Sequence, residues 1–185
     1  MTQFTGYAIV TADGFIADID HLMPTCLRHS VDFARFQAAL DQIDLTLIGR
    51  ATHDAAPNVK RRNRLIVSRY QHADDPENGH FWWQPDEISL IERVQSLPFA
   101  CEHVAVVGGL GVFDLVFAQQ SYDAFELTIV TNAKLHAGVP LFSGLAPSAE
   151  AGLRTLLEHG LKVSGEFWLD DETTLRFIRL DRDAG

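Results

Sequence analysis

Short apolar runs rich in β-branched residues alternate along the chain with longer stretches whose apolar positions recur every three or four residues, a pattern that predicts strands separated by helices. Phe4 to Val10 reads as a first strand, ended by a loop at Asp13-Gly14. A polar, irregular stretch follows, and Ser30 can then cap a helix carrying Phe33, Phe36, Leu40 and Ile43, with Asp32 in its first turn. Leu45 to Ile48 is a short buried strand that stops at Gly49. Arg64 to Ser68 repeats it, with Leu65, Ile66 and Val67 ending at Ser68-Arg69. After a loop from Gln71 to His80, Phe81-Trp82-Trp83 is a strand whose two tryptophans point to opposite faces. Pro85 and Asp86 open a helix with Ile88, Ile91, Val94 and Leu97 on one side, closed by Pro98.

Val104 to Val107 is the next buried strand, broken by Gly108-Gly109. A third glycine, Gly111, leads into a helix from Val112 to Phe117. Such a turn lets backbone approach a ligand closely, and a helix start favours an anion. It reads equally as a tight strand-to-helix turn with no ligand. Phe125 to Val130 is a strand, and a last helix from Ser148 to Gly160 carries Leu153, Leu156 and Leu157. Leu161 to Leu169 and Thr173 to Leu180 form a hairpin around Asp170-Asp171-Glu172. Helix-separated strands imply parallel neighbours, and the hairpin adds antiparallel pairing, so the expected fold is a three-layer α/β arrangement with helices on both faces of a mixed, mainly parallel sheet. Ligands bind such sheets beyond the carboxyl ends of the strands, where Gly49-Arg50, Ser68-Arg69 and Gly108-Gly109 collect on one edge.

Composition narrows the function. Nearly half of the 185 residues are apolar, enough for one core and one domain over residues 1–185. The net charge of −10 argues against a broad nucleic-acid surface. Lys60, Arg61, Arg62, Arg64 and Arg69 still make a local basic run, in which Lys60, Arg61 and Arg62 read as a solvated loop. No apolar run suits a membrane span or an export signal, and Cys26 and Cys101 follow no metal or disulfide pattern, so a cytoplasmic protein with free thiols is expected. The eight histidines form no ligand set and no metal is expected; only His53 falls near the strand ends, where a surface position suits it. No Gly-x-Ser-x-Gly elbow occurs, and Gly109-x-Gly111 lacks the third glycine of a Rossmann fingerprint, where Asp114 stands.

Read in order, the segments Asp13 to Ala17 ("DGFIA"), Gly49 to Thr52 ("GRAT"), Arg64 to Arg69 ("RLIVSR"), Val104 to Phe113 ("VAVVGGLGVF"), Tyr122 to Thr128 ("YDAFELT") and Pro140-Leu141-Phe142 resemble the dihydrofolate reductase-like superfamily. That superfamily includes the reductase domain of the riboflavin-pathway deaminase-reductase and small stand-alone relatives. The resemblance implies an eight-stranded sheet, NADPH as cofactor, reduction of a small pyrimidine- or pterin-like heterocycle, and a homodimer. It assigns Gly49, Arg50 and Thr52 to the adenosine half and diphosphate, and Ser68 and Arg69 to the 2′-phosphate. Gly108 and Gly109 would be joined by a cis peptide, and Gly111 and Val112 would lend N–H groups to the diphosphate. Ile9, Ile16 and Ala17 would line the nicotinamide pocket. By likeness to folate reductases, Asp32 and Thr128 would bind the substrate and assist proton delivery; an acid in a helix's first turn is also favoured simply by the dipole. Val107 stands where the riboflavin-pathway reductases carry glutamate, and the zinc deaminase motif is missing. A stand-alone relative is therefore expected, with a folate reductase or a nucleotide-binding relative without catalysis as alternatives.

Overall fold

A computed structural model describes residues 1–119 and 122–183. Its strands are β1 (Gln3–Thr11), β2 (Phe15–Ala17), β3 (Leu45–Gly49), β4 (Arg64–Val67), β5 (His80–Trp83), β6 (His103–Val106), β7 (Ala124–Val130), β8 (Val139–Pro140), β9 (Leu161–Trp168) and β10 (Leu175–Arg182). The helices are α1 (Ser30–Leu40), α2 (Arg50–Ala55), α3 (Leu90–Gln95), α4 (Leu110–Gln119) and α5 (Ala149–Glu158).

Eight strands form one sheet in the order β5-β4-β3-β6-β1-β7-β10-β9. The first six run parallel, and β10 pairs antiparallel with both β7 and β9. β6 is all but inaccessible from Val104 to Val106 and all of β7 is buried, as continuous apolar runs require when both faces are covered. On one face Phe4, Leu47, Leu65, Trp83, Phe125 and Leu127 pack with Phe113 and Val116 of α4, Leu90 and Val94 of α3 and Leu156 of α5. On the other lies α1, whose Phe36 ring sits 5.8 Å from that of Tyr7. Trp83 is wholly buried while Trp82 is only partly covered, the opposition expected of neighbours on a strand.

Several boundaries move. α1 is flanked by His29, the Ser30 hydroxyl makes no cap, and Ile43 lies beyond the helix. α3 starts at Leu90 behind a complete capping box of Ser89 and Glu92, a stronger start than Pro85-Asp86 because it satisfies two N–H groups reciprocally. α4 begins at Leu110, taking Gly111 into its first turn. The helix α2 and the small β2-β8 sheet are additions to the expected elements. Arg62 and Lys60 are not merely solvated, since both pair with Asp41 at the end of α1.

The loop after β1 is held by a carboxylate and a glycine. Asp13 accepts the Thr11 hydroxyl at 2.5 Å and the N–H groups of Leu135 and His136 at 3.1 and 2.8 Å, tying it to the 131–138 loop. Burial raises the Asp13 pKa, but these hydrogen bonds outweigh it and leave the carboxyl below its ordinary value. Gly14 has φ +84°, and a Cβ there would lie 2.6 Å from the Ser148 carbonyl oxygen. Only glycine suits both conditions.

Candidate functional site

The parallel order β4-β3-β6-β1-β7 sets Ser68, Gly49, Gly108, Ile9 and Thr128 on five neighbouring strands or their ends. Four inter-strand spacings make a shelf about 19 Å wide. Gly49 donates its N–H to the Gly108 carbonyl at 3.2 Å, and a Cβ on Gly49 would be 3.4 Å from Val112 Cγ2. The structure therefore brings Gly49, Gly108 and Val112 together as expected from their place on one edge.

The glycine turn differs from its expected form in two respects. No cis peptide occurs among the described residues; Gly108 and Gly109 turn the chain through φ values of +119° and +20° instead, a freedom specific to glycine. Val112 donates its N–H to the Gly109 carbonyl at 3.0 Å, so that group is already paired within the turn and cannot serve a diphosphate. The N–H groups of Gly109, Leu110 and Gly111 have no partner among the described residues. Cβ atoms on Gly109 and Gly111 would meet nothing within 4 Å. Open space faced by unpaired donors at a helix start suits a diphosphate. Asp114, where a Rossmann motif has its third glycine, accepts the Ser143 N–H at 3.1 Å and its hydroxyl at 2.5 Å, fixing the loop after β8.

At the β4 end, Ser68 is 6% exposed, and its Oγ accepts the Tyr70 N–H at 3.1 Å. Arg69 is exposed and has no ion-pair partner among the described residues, leaving its guanidinium available to an anion. Arg50, the first residue of α2, pairs with Asp54 at 3.1 Å and lies 5.3 Å from the Trp82 ring centre. Thr52 is exposed on α2. His53 is not the histidine nearest these groups: His72 Nε2 is 3.1 Å from Ser68 Oγ and 3.2 Å from Arg50 Nη1, and its ring stacks on Trp82 at 4.0 Å. His53 instead accepts from Arg64 and packs edge-on against His80. In sequence His72 lies in a polar loop without periodicity, so only the fold reveals its position.

At the other end of the shelf, Asp32 and Thr128 meet. Thr128, 2% exposed, donates its hydroxyl to Asp32 Oδ1 at 2.5 Å. Ile9 is the register neighbour of Thr128 on β1 and is half-buried beside this pair. Burial raises the Asp32 pKa; the Thr128 hydrogen bond and the charges of Arg35 and His29 oppose it without cancelling it. Glu126, two residues before Thr128, is bound by Arg35 at 2.8 Å and Arg179 at 2.6 Å, which pins α1 to β7 and β10 and so fixes Asp32. Ile16 and Ala17 belong to β2, paired with β8 above the end of β1. Two surface depressions of about 280 Å3 lie elsewhere, and neither is lined by a predicted site residue. Among the described residues no three His, Cys, Asp or Glu side chains converge as a metal site, and no helix is long and apolar enough to cross a membrane.

Comparison with solved structures shows where this architecture recurs. A protein from Shewanella sp. PV-4, provisionally described as a riboflavin biosynthesis protein, superposes with a TM-score of 0.68 at 16% identity over 98% of this chain and 99% of that one. The diaminohydroxyphosphoribosylaminopyrimidine deaminase/5-amino-6-(5-phosphoribosylamino)uracil reductase of Thermotoga maritima gives 0.71 at 14% identity, over 98% of this chain and 57% of that one. The fold is dihydrofolate reductase-like. This chain spans little more than half the length of the bifunctional protein. By sequence alone, no protein-family profile and no curated protein matches it. At these identities the likeness establishes the fold, and the chemistry rests on the chain's own residues.

Proposed function

We propose that this protein is an NADPH-dependent reductase of a small pyrimidine- or pterin-like heterocycle. The observation that carries the reading is the Asp32-Thr128 pair, a partly buried carboxylate bonded at 2.5 Å to a buried hydroxyl beside Ile9, on the same shelf as the glycine turn. A carboxylate in that setting pairs with the adjacent ring N–H and exocyclic amine of a 2-amino-pyrimidine edge, two donors in one plane. The Thr128 hydroxyl takes one acceptor position of Oδ1, and each carboxylate oxygen has two, so both oxygens can still accept from the two donors of that edge.

In this proposal Gly49, Arg50 and Thr52 bind the adenosine half and diphosphate, Ser68 and Arg69 the 2′-phosphate, and Gly108, Gly109 and Gly111 admit the diphosphate to the unpaired N–H groups. Ile9, Ile16 and Ala17 line the nicotinamide pocket. The cofactor supplies the hydride. Asp32 orients the heterocycle and, with its pKa raised by burial, retains a proton further towards neutral pH than an ordinary carboxyl; it can pass that proton to an unprotonated ring nitrogen, and the carboxylate so formed then accepts from the new N–H. The apolar neighbours Ile9 and Ile16 keep water from the reacting carbon.

The direct test titrates NADPH while following nicotinamide fluorescence, then offers pterin, pyrimidine and quinone-like acceptors and follows loss of absorbance at the reduced nicotinamide band. Micromolar binding with turnover of a pterin or pyrimidine is expected. Binding without turnover on that panel would favour a non-catalytic nucleotide-binding protein, and no binding at high micromolar NADPH would end the proposal.

A further inference from the structure

The group that sits between Ser68 and Arg50 is His72, a residue no sequence pattern singles out. A guanidinium can only donate hydrogen bonds, so the 3.2 Å contact from Arg50 Nη1 requires His72 Nε2 to act as acceptor and carry no proton. Ser68 Oγ, already accepting from Tyr70 N–H at 3.1 Å, directs its own hydrogen to the same Nε2 at 3.1 Å. Two donors thus converge on one imidazole lone pair. The ring is held in place by stacking on Trp82 at 4.0 Å and 25° between planes, and the Trp82 backbone is in turn held by its main-chain N–H to Asp74 at 2.9 Å.

Consider a dianionic 2′-phosphate held at Ser68 and Arg69, with one oxygen reaching in towards Arg50, the arginine assigned to the adenosine half that carries this phosphate. Both donors turn to it, and the imidazole is left with a lone pair facing an anion. That contact is repulsive until Nε2 takes up a proton, whereupon it becomes a third, charged donor. The charged groups around the ring do not remove this coupling. On α2 stand Arg50, His53 and the Arg50-bound Asp54; at the β4 end Arg69; beside β5, His80 and Asp74, the latter paired to Arg93 at 2.6 Å. The two carboxylates are thus each committed to an arginine.

We infer that His72 is a specificity-determining residue that couples 2′-phosphate recognition to uptake of one proton. This rests on the dinucleotide reading above and adds to it a pH-dependent preference for NADPH over NADH. Protonation favours the phosphate complex, so the preference is greatest at acid pH and declines as pH rises.

Calorimetric titration of the whole chain with NADPH and with NADH, in buffers of different ionisation enthalpy between pH 7 and 8.5, tests it. In that range the second ionisation of a phosphate monoester, near pH 6, is largely complete. The expected result is net uptake of up to one proton with NADPH and none with NADH, with the NADPH Kd rising by up to about tenfold per pH unit while the NADH Kd stays level. His72→Gln should abolish both the uptake and the slope. NADPH preference without proton uptake, or a slope unchanged in His72→Gln, overturns the role of His72 while leaving the cofactor reading intact. Equal binding of NADPH and NADH, or binding of neither, overturns both. The wild-type proton count decides the matter even if the variant folds poorly.

Discussion

Replacing Asp32 with Asn separates the two explanations of this carboxylate, because they predict opposite signs. Asn preserves the shape and the bond from Thr128, since its carbonyl oxygen can accept the hydroxyl now held at 2.5 Å. It removes the charge. If Asp32 binds substrate, two charge-assisted hydrogen bonds of about 1.5–3 kcal/mol each lose much of their strength. Proton delivery, worth roughly 10²–10⁴-fold, is lost with them. A fall in kcat/KM of at least about 10²–10⁴-fold is expected on whichever heterocycle is turned over. Stability should move the other way. Folding raises the Asp32 pKa through burial, so the native state keeps a proton over a pH range where the unfolded chain has released it, and stability falls as pH rises through that range. At neutral pH the ionised carboxylate therefore opposes folding, and Asp32→Asn should raise the melting temperature.

For a chain of this length each 1 kcal/mol of relief would correspond to about 2–4 °C. The gain should vanish at a pH below the ordinary carboxylate range, where Asp32 is protonated in both states. Thermal melts across that pH range, beside steady-state kinetics, provide the assay. If Asp32 serves only the helix dipole, its charge stabilises α1 by about 0.3–1 kcal/mol. Asn would then lower the melting temperature at neutral pH and leave turnover intact. That pair of results would refute the reasoning.

Two further substitutions probe the ends of the shelf. Arg69→Ala removes an exposed guanidinium that has no ion-pair partner among the described residues and should raise the NADPH Kd about tenfold, near the lower end for a charge-assisted contact, while leaving NADH nearly unchanged; equal losses by fluorescence titration would contradict the 2′-phosphate assignment. Gly14→Ala forces an L-residue to φ +84° with its Cβ 2.6 Å from the Ser148 oxygen, and should cost at least about 1–2 kcal/mol in urea unfolding and weaken nicotinamide binding by displacing Ile16 and Ala17. A variant of wild-type stability would show that the β1-β2 loop does not need this geometry.

The sheet was legible because its information is local. A short, valine-rich apolar run stopped by glycines, such as Val104 to Val107, reads as a buried strand, and helix-length spacers between such runs favour parallel order. What escaped had no such signature. Arg50–Ala55 is six residues with no buried side chain, so α2 carries no apolar stripe to read. β2 and β8 are three and two residues long, formed because Asp13 and Gly14 press one loop on another. In α3 the serine-glutamate box at Ser89 and Glu92 was a readable sign, obscured by the nearby Pro85.

The site divides along the same line. Backbone features such as the glycine turn are written in consecutive residues, and their mutual placement follows once strand order is known. Side-chain constellations are not: Asp32 and Thr128 are 96 positions apart, and only the pairing of β1 with β7 and the docking of α1 by Glu126, Arg35 and Arg179 brings them together. His72 meets Ser68 only because β5 lies beside β4 and presents Trp82 as a surface for its ring. The proposed cofactor end is therefore assembled from loops that can vary without disturbing the sheet, whereas the Asp32 end is tied into ion pairs made by the buried Glu126 carboxylate of the sheet itself. Substitutions at His72 or Arg69 should thus change nucleotide preference at little cost in stability, while those at Glu126 should disturb substrate binding and folding together, since Arg35 would lose the carboxylate that docks α1 on the sheet.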